Sequence, residues 1–391
     1  MTEINRRQLL LRGAIGAGGL ASMSAILAAC GGSSGIEGQS SDEAASEEAA
    51  PAVERTLGEK LVFSNWPLYI DIDDETKKSA TLEGFTAETG VPVEYIEDIN
   101  SNEEFFGIVQ GPLSQGQFVR DLAIPTGYMA ARMKDLGYLE QFDLESVPNL
   151  GNVSIAAPPW NEGFAYGIPW QSYMTGLAYN EDKISGVTSV EELLTDPALK
   201  GKITLFNSMG DTMGLLMQDA GYDTTQIDPD QFDEQLERLQ KAVDDGQVRQ
   251  FTGNEYTGPL AKGDLWACMA WSGDIIQLQA DNDKLRFNIP DKGGQVGTDY
   301  MCILKGGDVY TSSVFANYVL DPVIAAQLSV YINYVTPVSA AKAEAEKLDP
   351  DVATNQLIFP DEATLAKLQE FDPVALNDQT YNEKFQAVIG A

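Results

Sequence analysis

LVFSNWPLYIDIDDETKKSATLEGFTAETGVPVEYI, residues 61–96, carries the pattern on which the fold turns. It opens on the short apolar run Leu61-Val62-Phe63, enters an amphipathic segment near 74–89, meets Gly90 where a helix would stop, and resumes an apolar run from Val91 to Ile96. Strand, helix, glycine, strand at this spacing predicts parallel neighbours joined by a crossover helix, which covers one face of the sheet. The rhythm continues with a helix near 103–110, the run Leu122-Ala123-Ile124 and a helix from Tyr128 to Leu136. A second series holds Ile203-Thr204-Leu205, a helix from Asp211, and a helix over 230–244 with Phe232, Leu236, Leu239 and Val243 on one face. The fold class is therefore α/β, with parallel sheets covered on both faces. The body from residue 57 to 391 exceeds what one core usually carries, so two α/β lobes are expected.

Upstream of this body lie Asn5-Arg6-Arg7-Gln8-Leu9-Leu10, a Gly/Ala-rich stretch, and Leu27-Ala28-Ala29-Cys30 followed by two glycines. A basic start, an apolar middle and small residues at a cut are the parts of a secretory signal. This segment resembles a twin-arginine export signal ending in a lipoprotein cleavage box, with 1–29 as signal peptide and Cys30 as the lipidated residue. The competing reading is an uncleaved anchor, but Gly13 to Ala29 is shorter and richer in glycine than the roughly 20 strongly apolar residues a span requires. Residues 30–56 are small, polar and acidic, and are expected to form a flexible linker of about 30 Å reach. The expected location is extracytoplasmic, lipid-anchored at the outer face of the cell membrane or in the periplasm.

With 25 Lys and Arg against 59 Asp and Glu, the formal charge is −34, which excludes a nucleic-acid partner for want of a basic footprint and slightly favours cations. No histidine is present, which removes His-based triads and the usual zinc sites. There is no nucleophile elbow, phosphate-binding glycine loop or dinucleotide fingerprint, and no metal or cofactor is expected. A hydrolase using a carboxylate pair needs only Asp and Glu, and stays open as an alternative. Apart from Cys30 the cysteines are Cys268 and Cys302; a disulfide between them and two buried thiols are both open readings.

Ligand crevices of α/β sheets lie beyond the carboxyl ends of the strands. Those ends carry Asn65-Trp66-Pro67-Leu68-Tyr69, Pro125-Thr126-Gly127-Tyr128, Asn207-Ser208-Met209-Gly210-Asp211, Trp271-Ser272-Gly273-Asp274, Thr298-Asp299 and Asn333-Tyr334. Aromatic faces and carboxylates converging on one cleft suit an organic cation, through ring faces and charge-assisted hydrogen bonds. Duller roles compete: Trp66 and Trp271 as core fillers, Tyr69 and Tyr128 as packing at helix starts, Asp211 as a helix-start charge beside a Ser208 cap, and Asp299 as a satisfied hinge residue.

From about Leu61 to the C-terminus the chain resembles the extracytoplasmic polyamine-binding component of spermidine/putrescine ABC importers. The matching pieces include Asn65-Trp66-x-x-Tyr69, Phe85-x-x-Glu88-Thr89-Gly90-Val91-x-Val93, Ile124-Pro125-Thr126-x-Tyr128 and Tyr166-x-Ile168-Pro169-Trp170. Further pieces are Gly263-Asp264 leading to Met269-x-Trp271, Pro290-Asp291-Lys292-Gly293-Gly294, and Tyr334-x-Thr336-Pro337. The resemblance implies a two-lobed periplasmic-binding-protein-like fold of type II with hinge strands crossing between lobes near Gln171 to Thr175, Gly297 to Tyr300 and Thr336 to Ala340. It implies lobe one at 57–173 plus 299–340, and lobe two at 174–298 plus 341–391.

By the same resemblance Trp66, Tyr69 and Tyr128 form one aromatic wall with Thr126 beside it, Trp271 faces them, Asp299 and Asp211 take amine ends, and Tyr334 lies on the hinge side. The implied partners are a polyamine such as putrescine or spermidine, a membrane permease with its ATPases, and the membrane through the anchor, the protein itself being monomeric. Two positions depart from the family: Gly297 stands where a second clamp tryptophan is expected, and Ser208 where another aspartate is. A wider cleft with one acid fewer follows, favouring a shorter diamine, or a different cation such as thiamine, with Asp274 as a candidate replacement acid.

Overall fold

In the computed structural model, residues 55–73 and 75–390 are described. The signal, Cys30 and residues 31–54 of the linker lie outside the described residues. The last linker residues already belong to the body, since Arg55 donates to both oxygens of Asp143 at 2.7 and 2.9 Å.

The strands are β1 (Leu61–Asn65), β2 (Val93–Glu97), β3 (Leu122–Ala123), β4 (Leu139–Glu140), β5 (Ile168–Asn180) and β6 (Ile203–Phe206). They continue as β7 (Val248–Thr252), β8 (Ala267–Trp271), β9 (Leu285–Asn288), β10 (Gly294–Leu304) and β11 (Leu368–Gln369). They form one sheet with the path β2-β1-β3-β10-β5-β8-β6-β7. Its ends are parallel, β1 against β2 and β3 on one side and β6 against β7 and β8 on the other. Between them run β5 and β10, antiparallel to each other and to their path neighbours β8 and β3, while β11 joins β10 in parallel off this path. The expected α/β halves joined by crossing strands are thus present in the topology, and β5 and β10 include the expected crossing segments. Next to the segment expected as the third crossing, near Thr336 to Ala340, the chain makes isolated bridges from Val335 to Ser172 and from Val338 to Val153.

The first crossover helix is Ala80–Thr89, which starts later than the sequence pattern suggests. Ser79 caps it by accepting from the Leu82 N–H, and the preceding loop is tied by hydrogen bonds from Ser79 and Thr81 to the buried Asp71. Gly90 ends it at φ 80°, a left-handed position that glycine adopts without steric cost. Around β1 the core is aromatic: Phe63 meets Trp170, Tyr95 and Phe315 at 5.3–5.9 Å. Around β6 and β8 it is built from Leu205, Phe206, Phe232, Tyr256 and Phe385. The helix Pro229–Asp244 buries Phe232, Gln235, Leu239 and Ala242, so Leu236 and Val243 sit at the margin of the expected face.

Cys268 and Cys302 are free thiols, which corrects the disulfide reading. Cys268 lies on β8 and Cys302 on β10, and β5 runs between those strands. Two interstrand steps of about 4.8 Å exceed the Cα separation of roughly 7 Å that a disulfide tolerates. Burial pushes both thiols up.

Candidate ligand-binding cleft

The segment after β1 folds back on itself because the Asn65 side chain accepts from the Trp66 N–H at 2.9 Å and donates to the Tyr69 carbonyl at 3.3 Å. The Trp66 indole N–H donates to the Ile124 carbonyl at 2.7 Å, fixing one ring at the edge of β3. The Tyr69 hydroxyl donates to Asp299 Oδ2 at 2.8 Å, and the Thr126 hydroxyl donates to Asp299 Oδ1 at 2.6 Å. Thr126 is held in turn by Asn102, which donates to its hydroxyl and accepts from its N–H, both at 3.0 Å. Asp299 sits where the pairing of β10 shifts register, between Asp299 and Tyr300; such irregularities re-aim a side chain. Burial raises its carboxyl to about 7, although the hydroxyls of Thr126 and Tyr69 oppose the shift, and Asp211 adds to it.

Asp211 lies in the first turn of the helix Met209–Asp219, capped by Ser208 Oγ, which accepts the Asp211 N–H at 3.4 Å. Its carboxylate accepts from the Thr175 hydroxyl of β5. Burial raises this acid above its ordinary range against the opposing pull of Thr175, Ser208 and the Trp271 indole, although that indole N–H reaches hydrogen-bond geometry with no acceptor among the described residues. Ser208 therefore serves as a helix cap and also lines the cleft.

The aromatic walls meet face to edge. Trp271 stacks on Phe206 at 4.4 Å and 17°, which covers one indole face, while Trp66 meets it at 5.8 Å and 79°. Tyr69 and Tyr334 contact at 4.6 Å and 71°. The Tyr334 hydroxyl donates to Asp274 Oδ1 at 2.6 Å, and Asp274 also accepts from Tyr256 at 2.7 Å and Asn254 at 2.9 Å. Asp274 is fully buried and does not line the cleft, so it anchors Tyr334 and Tyr256 instead of replacing a cleft acid. Its carboxyl is raised to about 6 by burial, against those three donors.

The space between these walls is about 510 Å³, its mouth included. It brings together Trp66, Tyr69, Thr126, Ser208, Asp211, Trp271, Asp299 and Tyr334, and among the described residues no Lys or Arg lines it. Tyr128 is the exception among the expected residues: it lines a neighbouring, larger chamber and donates to Glu103 Oε1 at 2.6 Å.

Among the lining residues that escaped the sequence reading, two shape the site most. Glu103 is in the first turn of the helix Asn102–Ser114, behind the Ser101 cap, where an acid reads as a simple helix-start charge. Its place just beyond β2 was the signal. Burial raises its carboxyl, while Tyr128 and Arg132 lower it and Asp211 raises it further. Glu103, Asp211 and Asp299 thus give the cleft three acids, none in an ion pair among the described residues, which corrects the expectation of an acid deficit. The second residue is Tyr173. It pairs in register with Gly297 across β5 and β10, and a Cβ added at Gly297 would lie 2.3 Å from the Tyr173 hydroxyl oxygen. The room left by glycine is filled from the opposite strand, so the expected widening does not occur. Among the described residues, no group of three or more Cys, Asp or Glu is close enough to hold a metal ion.

Known proteins share both sequence and architecture with this chain. The spermidine/putrescine-binding periplasmic protein of Escherichia coli (strain K12) is 25% identical over 331 residues, covering 83% of this chain and 90% of that protein. A putrescine/cadaverine-binding protein of Pseudomonas aeruginosa is 26% identical over 336 residues, covering 82% of this chain and 90% of that protein. The solved structure of a spermidine/putrescine ABC transporter substrate-binding protein from Streptococcus pneumoniae superposes with a TM-score of 0.68 at 27% identity, covering 85% of this chain and 97% of that one. The family described as bacterial extracellular solute-binding protein matches residues 80–360, most of the body that holds the cleft, and the chain belongs to that family.

Proposed function

We propose that this chain is the capture component of an ABC importer, binding a linear polyamine in the cleft and delivering it to a membrane permease driven by cytoplasmic ATPases. The observation that carries the reading is the set of three shielded acids, Glu103, Asp211 and Asp299, between aromatic residues and without an ion-pair partner among the described residues. Each acid is oriented by neutral hydroxyls, and each would regain the cost of its burial from an ammonium group. Trp66, Tyr69, Trp271 and Tyr334 supply ring surface for methylenes and for the cation itself. The polyamine names of the relatives from Escherichia coli and Pseudomonas aeruginosa support the same class of cargo. With Tyr173 over Gly297, nothing favours a flat aromatic cation such as thiamine. The role is transport, without chemistry on the ligand.

In this reading the lobes are 57–173 plus 299–340 and 174–298 plus 341–391, hinged about β5 and β10. Ligand touches both lobes only when they close, and it shifts the population toward closure by its differential affinity. The protein is monomeric, exported through the twin-arginine signal and tethered by lipid on Cys30, with residues 31–54 as the leash.

Calorimetric titration with putrescine, spermidine, thiamine and a neutral sugar tests the assignment. Saturable one-to-one heat with a polyamine alone is expected. Heat with the sugar or thiamine and silence with every amine would discard the ligand class.

A further inference from the structure

The cleft does not end at its own walls. A chamber of about 2290 Å³, open solvent included, lies beside it, lined among others by Tyr128, Trp160, Tyr300, Phe371 and Glu370. Four residues line both spaces: Thr126, Tyr173, Ser208 and Asp211. Three of these are short, and Tyr173 is the only one with a large side chain.

We propose that Tyr173 is the partition that sets the length of cation the cleft accepts, confining the ligand to the acid-lined cleft and barring a longer chain from the adjoining chamber. The inference rests on the polyamine reading and deepens it, making a short diamine the preferred cargo. Its position is fixed from several sides. Tyr173 projects from the paired centre of β5 and lies over Gly297, which has no side chain to displace it. Its ring meets Trp271 at 6.0 Å and 64°, so the partition is continuous with the aromatic wall. Gly297 admits this arrangement because any Cβ there would clash with the tyrosine ring, with Cζ only 2.4 Å away. The two positions behave as one unit: a large residue on β5 requires glycine on β10.

The chamber beyond is suited to the extra length of a triamine. Asp211 faces both spaces, and Glu370 adds a second carboxylate on the far side, close enough to Tyr173 to affect its hydroxyl. Removing the ring would join the two volumes and let an aminopropyl arm pass from Asp211 toward Glu370.

The test is calorimetric titration of the full-length chain in detergent with putrescine, cadaverine, spermidine and spermine, comparing wild type with Tyr173→Phe, Tyr173→Leu and Tyr173→Ala. Wild type and Tyr173→Phe are expected to bind the four-carbon diamine at least tenfold more tightly than spermidine. Tyr173→Leu and Tyr173→Ala are expected to reduce that ratio at least tenfold, chiefly by strengthening spermidine. The ratio between ligands cancels a general loss of stability, and the leucine variant keeps the comparison if the alanine variant does not fold. A ratio unchanged within twofold in a variant that still binds putrescine overturns the partition while leaving polyamine capture intact. Silence of wild type toward all four amines removes the polyamine reading and this inference with it.

Discussion

Replacing Asp299 by asparagine should make the ligand-free protein more stable at pH 8 while impairing its capture of cations. The Asp299 carboxyl is buried, accepts hydrogen bonds among the described residues only from Thr126 and Tyr69, and is raised by burial from 3.8 to about 7. Because the native state holds the proton more tightly than the unfolded chain, stability falls as pH rises from about 4 through about 7, and the full cost is present above that window. The distance from 3.8 to about 7, at about 1.4 kcal/mol per pH unit, sets a ceiling near 4 kcal/mol. The amide keeps one acceptor oxygen for Thr126 but must turn its NH₂ toward Tyr69, which costs about 1 kcal/mol. Asp299→Asn should therefore gain roughly 2–3 kcal/mol at pH 8 but only about 0.5 kcal/mol at pH 5, where about a third of the ionisation cost has accrued. Urea unfolding of both proteins at the two pH values without ligand measures the difference, in which the other shifted acids cancel. An equal loss at both pH values would refute the reasoning, since it would mean that Asp299 is a compensated structural group. Calorimetry on the same variant should show polyamine binding weakened at least tenfold.

The remaining expectations concern the ligand, the aromatic wall and the thiols. Because Asp299 must ionise to pair with an ammonium group, putrescine affinity should rise about tenfold per pH unit from 5 toward 7 and flatten above about 8, with proton release on binding; a flat profile from pH 5 to 8 by calorimetry would contradict this. Trp271→Ala should weaken binding at least tenfold and, because it uncovers Phe206, cost about 3 kcal/mol of stability in thermal unfolding; unchanged affinity would remove Trp271 from the site. Reductant should leave the melting temperature unchanged, and a thiol reagent should reach Cys268 and Cys302 only after unfolding, whereas rapid labelling of the native protein would contradict their burial.

The strand ends were legible in the sequence because polarity changes abruptly there: an apolar run gives way to tryptophan, threonine or aspartate at Trp66, Thr126 and Asp211, whereas Asp299 lies inside β10, just before the apolar run from Tyr300 to Leu304. The resemblance to polyamine binders added roles, and eight of the nine residues named for the cleft do line one space. Tyr128 was misplaced because its position just after Thr126 fixes its neighbourhood but not its direction, and its hydroxyl turns to Glu103. Glu103 was hidden by a second sufficient explanation, since an acid two residues after a serine cap satisfies a helix start without any ligand. The glycine at 297 and the tyrosine at 173 were each visible, but their compensation depends on the register of β5 against β10, which no local pattern encodes. The thiols illustrate the same limit, because whether two cysteines can meet depends on which strand runs between them.

The pattern of donors around the acids also explains why the cleft should choose charge over shape. Tyr69 and Thr126 occupy both oxygens of Asp299, Thr175 holds Asp211, and Tyr128 holds Glu103, so each carboxylate is aimed by a hydroxyl before any ligand arrives. Hydroxyls orient a carboxylate but leave its charge uncompensated, and in a shielded site that remaining charge is what keeps the carboxyls raised. A neutral sugar could exchange hydrogen bonds with these groups but could not discharge them. A diammonium chain relieves two of them at once, and its methylenes fall against rings that hydroxyl-rich ligands would leave poorly covered. Selectivity thus arises from withholding lysine and arginine from a site built with three acids, and the same withheld charge makes the free protein less stable at high pH than its Asp299→Asn variant.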